Sequence, residues 1–241
     1  MEIYLKAWPE VETYLKKKKS IIIPVGSTEQ HGPTGLIGTD FLTAWEMAKK
    51  VGMKTQTMVG SPVCYGMALH HLGFPGSSAL KPTTYIAMMK EIILAYARHG
   101  FHDFFLINGH GGNIPSLQAT FSEILDQDQS FHFQLFNWWH LPEVTKYETE
   151  IFGDANGFHA TCGEVSVTMA THPEAFLEKR EYKHFDTPKK YSWPQSPGEF
   201  RRTFPDGRMG SNPSLATKAH GEKIFSLAVE SIARQIEQKM G

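Results

Sequence analysis

Ser20-Ile21-Ile22-Ile23-Pro24-Val25-Gly26 is an apolar run dense in β-branched side chains and closed by a glycine. A run this short predicts a strand covered on both faces, and doubly covered strands belong to parallel sheets flanked by helices. Downstream lies a polar, Gly-rich loop over 27–39, then a segment in which Asp40 caps or opens a helix. Leu42, Trp45, Ala48 and Val51 keep helical spacing there, and Gly52 is expected to stop it. The pattern then alternates. Strands are predicted at 55–59, 103–108 and 131–137, and helices at 82–99, about 115–126, 164–171 and about 220–239. Alternating strands and helices predict a three-layer α/β/α sandwich on a largely parallel mixed sheet, one domain over 1–241. In such sheets ligands gather beyond the carboxyl ends of the strands. The loops after Val25 and Asn108 therefore converge if their strands run parallel.

The 241 residues are 41% hydrophobic and 20% charged, with 24 basic and 25 acidic side chains and a net charge of -1. That balance disfavours a surface that tracks phosphates, so no nucleic-acid partner is expected. No apolar run nears the roughly 20 residues that span a bilayer. Met1-Glu2-Ile3-Tyr4-Leu5-Lys6 lacks a basic region leading into an apolar core. A cytoplasmic protein with no membrane partner is the expectation. Cys64 and Cys162 offer neither a disulfide framework nor a thiolate metal site. The count that stands out is 12 histidines, since imidazole is the commonest metal ligand and a frequent acid–base group.

The first loop holds Glu29-Gln30-His31 and ends at Asp40. Residues two apart in an extended chain project to one side, so Glu29 and His31 can act together, with Asp40 folded back toward them. Two carboxylates and an imidazole suit zinc, manganese or iron, and a bridging carboxylate can hold two ions. The competing reading is a polar loop with Asp40 as a helix cap. The second loop, Asn108-Gly109-His110-Gly111-Gly112-Asn113, sets an imidazole at a strand end among glycines. Its competing reading is an anion cradle at a helix N-terminus, although it lacks the P-loop lysine. A third segment places His159 five residues before Glu164; a lone histidine of this kind is more often a hydrogen-bonded core residue. His70-His71 reads as packing in a substrate loop. His99, His102, His132, His172, His184 and His220 read as surface or structural groups.

Glu29-x-His31-Gly32-Pro33 with Gly38-Thr39-Asp40, then Asn108 to Asn113, then His159-Ala160 ahead of Glu164-x-Ser166, resembles the creatininase (creatinine amidohydrolase) family in an ordered match over about 20–170. The resemblance implies a binuclear metal hydrolase of non-peptide C–N bonds in small molecules, on a creatininase-like α/β/α fold, assembled as a homohexamer. Carried over residue by residue, it implies that Glu29, His31, Asp40 and His110 are metal ligands, with Asp40 bridging. Glu164 falls on the family's later metal-side glutamate, as ligand or base, and His159 on its active-site histidine. The cofactors implied are two divalent ions: zinc, manganese or iron. Trp138, Trp139, His70 and Asn113 are the expected substrate-side residues, Asn113 by shaping the loop.

One departure is informative. Creatininases proper carry a metal-binding glutamate where this chain has Gly112, and the Gly-Gly form resembles other branches, among them a formylaminopyrimidine deformylase and a mycofactocin-maturation peptidase. Creatinine is therefore not the expected substrate. The alternatives are a non-catalytic binding or assembly homologue and a nucleotide-binding transferase that uses the turn at 109–112. The Pro-rich segment 182–213 is expected to be irregular, a lid or an intersubunit arm, with Arg201, Arg202 and Arg208 either solvated or near an anionic substrate.

Overall fold

Ile21, Ile22, Ile23 and Val25 are fully buried in strand β1 (Ser20–Val25). In the computed structural model, which describes residues 1–178, 180–181, 187–188 and 190–240, β1 is central to the sheet. It pairs with β2 (Met58–Val59) and β3 (Asp103–Asn108), and β3 pairs with β4 (His132–Asn137), giving the order β2-β1-β3-β4. Every ladder is parallel among the described residues. The antiparallel part expected of a mixed sheet is reduced to an isolated bridge between Thr28 and Ser78, because the chain after β2 crosses the strand ends as irregular structure.

Strand side chains alternate between faces, and both faces are apolar. Ile22, Val59, Phe105, Ile107 and Phe136 point to one core. Helices α2 (Thr39–Thr55), α5 (Pro142–Phe152), α6 (Cys162–Thr171) and α8 (Lys218–Met240) cover it. Ile21, Ile23, Val25, Met58, Phe104 and Leu106 point to the other core, under α1 (Trp8–Leu15), α3 (Pro82–Arg98) and α4 (Asn113–Gln127). Each such fully buried side chain contributes roughly 1.5–3 kcal/mol of transfer free energy. The layers are therefore α/β/α, as predicted.

Strand β1 leads into α2 on one face, while β3 leads into α4 on the other. The ends of β1 and β3 thus flank the point where the winding direction changes, the place where α/β sheets leave a crevice. Register pairs Val25 with Asn108 and Asn108 with Asn137, so the three strands end level with one another.

Several expectations differ, among them the strand predicted at 55–59, which shrinks to Met58–Val59 because α2 extends through Thr55. Helix α2 runs through Gly52 because a Cβ there would overlap Val59; the glycine serves helix–strand packing, and Gln56 at φ 51° ends the helix. Helix α5 escaped the sequence pattern. The segment 182–213 is not uniformly irregular, because it contains α7 (Pro197–Thr203), whose Phe200 is buried with Phe74 and Phe204. Residues 182–186 and 189 of that segment, His184 included, lie outside the described residues. Arg208 is buried, with its guanidinium 2.6 Å from Asp206 Oδ2, and is not an open anion contact; Arg201, over the Phe74 ring, and Arg202 are exposed. No helix among the described residues is long and apolar enough to cross a membrane.

Candidate active site and metal centre

Gly26 closes β1 and Gly109 closes β3. A Cβ at either would overlap the backbone of Asp40 or Phe41 in the first turn of α2. Both strand ends must lack side chains for this helix start to wedge between them, and the wedge places the Asp40 carboxylate between the two motif loops.

The carboxylate divides its oxygens. Oδ1 lies 2.8 Å from His31 Nε2, and Oδ2 lies 3.0 Å from His110 Nδ1. His110 Nδ1 is also 3.2 Å from Glu29 Oε2. The Ser27 hydroxyl reaches Glu29 Oε2 at 2.6 Å and Asp40 Oδ2 at 2.9 Å, tying the two carboxylates together. Outer hydrogen bonds orient the rings. His31 Nδ1 donates to the Glu29 carbonyl at 3.2 Å, and His110 Nε2 donates to the Met67 carbonyl at 3.1 Å. Each ring thus turns its other nitrogen inward, the arrangement that fixes the tautomer of a ligating histidine. Glu164 is anchored by the N-terminus of α6, its Oε2 accepting from the Thr161 amide at 2.8 Å and hydroxyl at 2.9 Å.

Electrostatics show what the cluster needs. Burial alone would lower His31, but the Asp40 carboxylate overrides it and lifts the imidazole to about 9. His110, buried likewise, is held well above its usual value by Glu29 and Asp40. Burial raises Glu29 and Glu164. Asp40, despite burial, is held low by His31 and His110. Without a cation, protons on imidazoles offset the buried carboxylates. Glu29 Oε1 and His31 Nε2 are nonetheless buried with no aligned hydrogen bond. Glu29, Asp40 and His110 form one group able to hold a metal ion, His31, Asp40 and Glu164 form a second, and Glu29, His31 and His159 a third that overlaps both; within each group the donor atoms lie within 4.8 Å of one another. This oxygen and nitrogen donor set fits a divalent cation.

Gln30, which sequence reasoning passed over, organises two more histidines. Its Nε2 lies 2.8 Å from the Gly207 carbonyl, 2.9 Å from His71 Nδ1 and 3.0 Å from His159 Nε2. His159 Nε2 is itself 2.8 Å from the Gln30 carbonyl. An amide nitrogen has two protons. With the His159 Nε2 proton donated to the Gln30 carbonyl, they go to Gly207 and His71. His71 then carries its proton on Nε2, 3.2 Å from Glu29 Oε1, while His159 leaves Nδ1 open, 3.7 Å from the same oxygen. The only sequence signals were a glutamine between two motif residues and a second histidine beside His70.

Beyond the cluster opens a cleft of about 690 Å³, lined by Glu29, Asp40, His110, His159 and Glu164. Trp139 and His70 also line it. Trp138 does not: it opens the short 3-10 turn Trp138–His140 that follows β4 and is fully buried in the core on the α2 face. The substrate role expected of Trp138 is corrected on that ground. Asn113 is also fully buried, its Nδ2 donating to the Gly26 carbonyl at 3.0 Å and its Oδ1 accepting from the Met67 amide at 3.0 Å. It shapes the loops and does not meet the cleft.

A parallel α/β/α sandwich with a buried carboxylate–imidazole cluster opening into a cleft at its switch point is the build of a hydrolytic enzyme of the α/β class. The comparisons name it more closely. A 3-dehydro-scyllo-inosose hydrolase of Thermotoga maritima is 34% identical over 171 residues, 68% of this chain but 54% of that protein, so the match spans about half the relative's length. A mycofactocin precursor peptide peptidase of Mycolicibacterium smegmatis is 27% identical over 235 residues, 90% of this chain and 84% of its own. The crystal structure of a creatinine amidohydrolase superposes with a TM-score of 0.85 at 24% identity, covering 99% of this chain and 97% of that one. A creatininase described as the Mn form gives 0.82 at 24% identity, covering 99% and 98%. The family model for creatininase, creatinine amidohydrolase, matches residues 5–236, and the chain belongs to the creatininase family.

Proposed function

We propose that this chain is a metal-dependent amidohydrolase that cleaves a non-peptide C–N bond, in an amide, cyclic amide or formamide of a small molecule. The observation that carries the proposal is Asp40, whose two oxygens face different imidazoles, His31 at 2.8 Å and His110 at 3.0 Å. One residue thereby belongs to two potential ligand groups. Glu29, Asp40 and His110 would hold one divalent ion, and His31, Asp40 and Glu164 the other, with zinc, manganese and iron all compatible. Ions bound there supply Lewis acidity, which acidifies water and stabilises negative charge on a carbonyl oxygen.

The remaining work falls to the protein. Burial, reinforced by His31, holds His159 well below its usual value and hence neutral, with Nδ1 open. A neutral imidazole placed so can take the proton of the attacking water and return it to the leaving nitrogen. Gly112 supports a substrate other than creatinine: a Cβ there would overlap His110 Nε2 and the Met67 carbonyl. A glutamate at that position cannot coexist with the hydrogen bond that orients His110, and Glu164 stands as the third donor beside His31 and Asp40 instead. The proposal treats 1–241 as one catalytic domain in a homohexamer, on the strength of the family resemblance.

The test is metal content by mass spectrometry, followed by hydrolysis of a panel of cyclic amides and formamides. Activity is expected to vanish on chelation and return with added divalent ion; metal-free protein that turns over equally fast would overturn the proposal. A second prediction concerns Gln30. Gln30→Glu exchanges its donor for an acceptor facing His71 Nδ1 and the Gly207 carbonyl. Metal affinity in competition with a chelator is expected to fall about 10–100-fold, the usual cost of losing an outer-shell partner. An unchanged affinity would remove Gln30 from the site.

A further inference from the structure

We propose that Glu148 selects the substrate: its Oε1 accepts a hydrogen bond from an N–H of a ligand bearing an amine, amidine or amide nitrogen. The inference rests on reading the same cleft as a hydrolase site and adds the chemical class of what enters it.

Glu148 lies on α5, which the sequence pattern did not reveal, and only 6% of its surface is exposed. It lines the cleft that holds Glu29, Asp40 and Glu164. Glutamate is almost never buried without a partner. One oxygen has a structural explanation: Oε2 accepts from Asn156 Nδ2 at 3.1 Å, and Asn156 Oδ1 accepts from the Gly163 amide at 3.2 Å, tying the turn before α6 to its first residues. The other oxygen has none. Oε1 is buried without a hydrogen-bond partner. Its position is nevertheless built, because a Cβ on Gly163 would overlap Oε1 itself.

Among the described residues, no lysine or arginine lines the cleft to answer this carboxyl. Burial, then the charge of Glu164, push Glu148 up to about 8. An unpaired carboxylate there is costly, and a ligand N–H, above all a cationic one, offsets that cost. The neighbouring walls are aromatic, with Trp139, Phe158, Tyr191 and Trp193 around the same space. Flat rings beside an acidic acceptor fit a planar ligand whose nitrogen donors point toward Glu148.

Benzamidine, planar and rich in N–H donors, is the probe, with benzoate as its anionic counterpart. Both are titrated calorimetrically into the metal-replete full chain, as wild type and as Glu148→Gln, with metal content and thermal midpoint recorded for each. Wild type is expected to bind benzamidine more tightly than benzoate. Glu148→Gln is expected to weaken benzamidine at least ten-fold, leaving benzoate and metal content unchanged. Equal benzamidine affinity in the two proteins, or no preference over benzoate in wild type, would overturn the proposal. Binding is read without turnover, so a protein that discriminates the probes yet hydrolyses nothing counts against the hydrolase reading and not against Glu148.

Discussion

Asp40→Ala is expected to release both ions and lower kcat/KM by at least about 10³-fold, the loss of several kcal/mol of transition-state charge stabilisation. Among the described residues Asp40 is the side chain common to the Glu29–Asp40–His110 and His31–Asp40–Glu164 groups. Metal content of the purified variant is the decisive measurement, and two ions retained per chain would rule out Asp40 as the bridging ligand.

The pH dependence of stability gives a second readout, with opposite signs for the two forms of the protein. In the metal-free protein His31 is raised from 6.5 to about 9. Its contribution is fully present below about 6.5 and is lost as pH climbs through 9; raised His110, Glu29 and Glu164 act in the same direction. Metal-free wild type is therefore expected to weaken across that window. The metal-replete protein strengthens as pH rises, because its ligands must shed protons to bind. Asp40→Ala removes the main charge that raises His31 and is expected to flatten the metal-free profile. Urea midpoints at several pH values, with and without chelator, test all three; parallel profiles in the two forms would mean that the ion does not bind through these histidines.

Gly109→Ala is expected to be among the most damaging of conservative changes, although it adds a single uncharged methyl group. The new Cβ would overlap the Asp40 carbonyl, and backbone, unlike a flexible side-chain tip, cannot swing aside. Either β3 or the first turn of α2 must shift, at a cost of roughly 3 kcal/mol, and the shift moves the Asp40 carboxylate as well. Stability and metal content should fall together. Gly111→Ala is the control in the same loop. A Cβ there meets only Trp139, at 3.9 Å, and its effect should stay within about 0.5 kcal/mol, as for other unobstructed surface changes. If the two variants behaved alike in urea unfolding, the close approach would carry no energy.

Much of the architecture was legible because it is local. β1 and β3 announced themselves as apolar runs buried on both faces, and β3 fell on the predicted residues. Glu29 and His31 stood out by their two-residue spacing in a Gly-rich loop, Asp40 by opening a helix, and His110 by standing at a strand end between glycines. Helix α5 was not legible: its first turn follows two tryptophans and a histidine, and Val144, Glu148 and Phe152 are its buried residues, one of them charged. The apolar stripe that marks a helix is interrupted there by the glutamate that makes it interesting.

By itself, the sequence determined the layers, the two motif loops and a set of residues able to bind metal, because strand and helix periodicity and glycine punctuation act over a few positions. Only the tertiary structure decided which atoms meet. It set Gln30 against His159, 129 positions away, turned Trp139 into the cleft and Trp138 into the core, and left Glu148 Oε1 buried beside a glycine. Those outcomes depend on how helices press on strand ends, and such contacts join residues between which the chain carries no periodic signal.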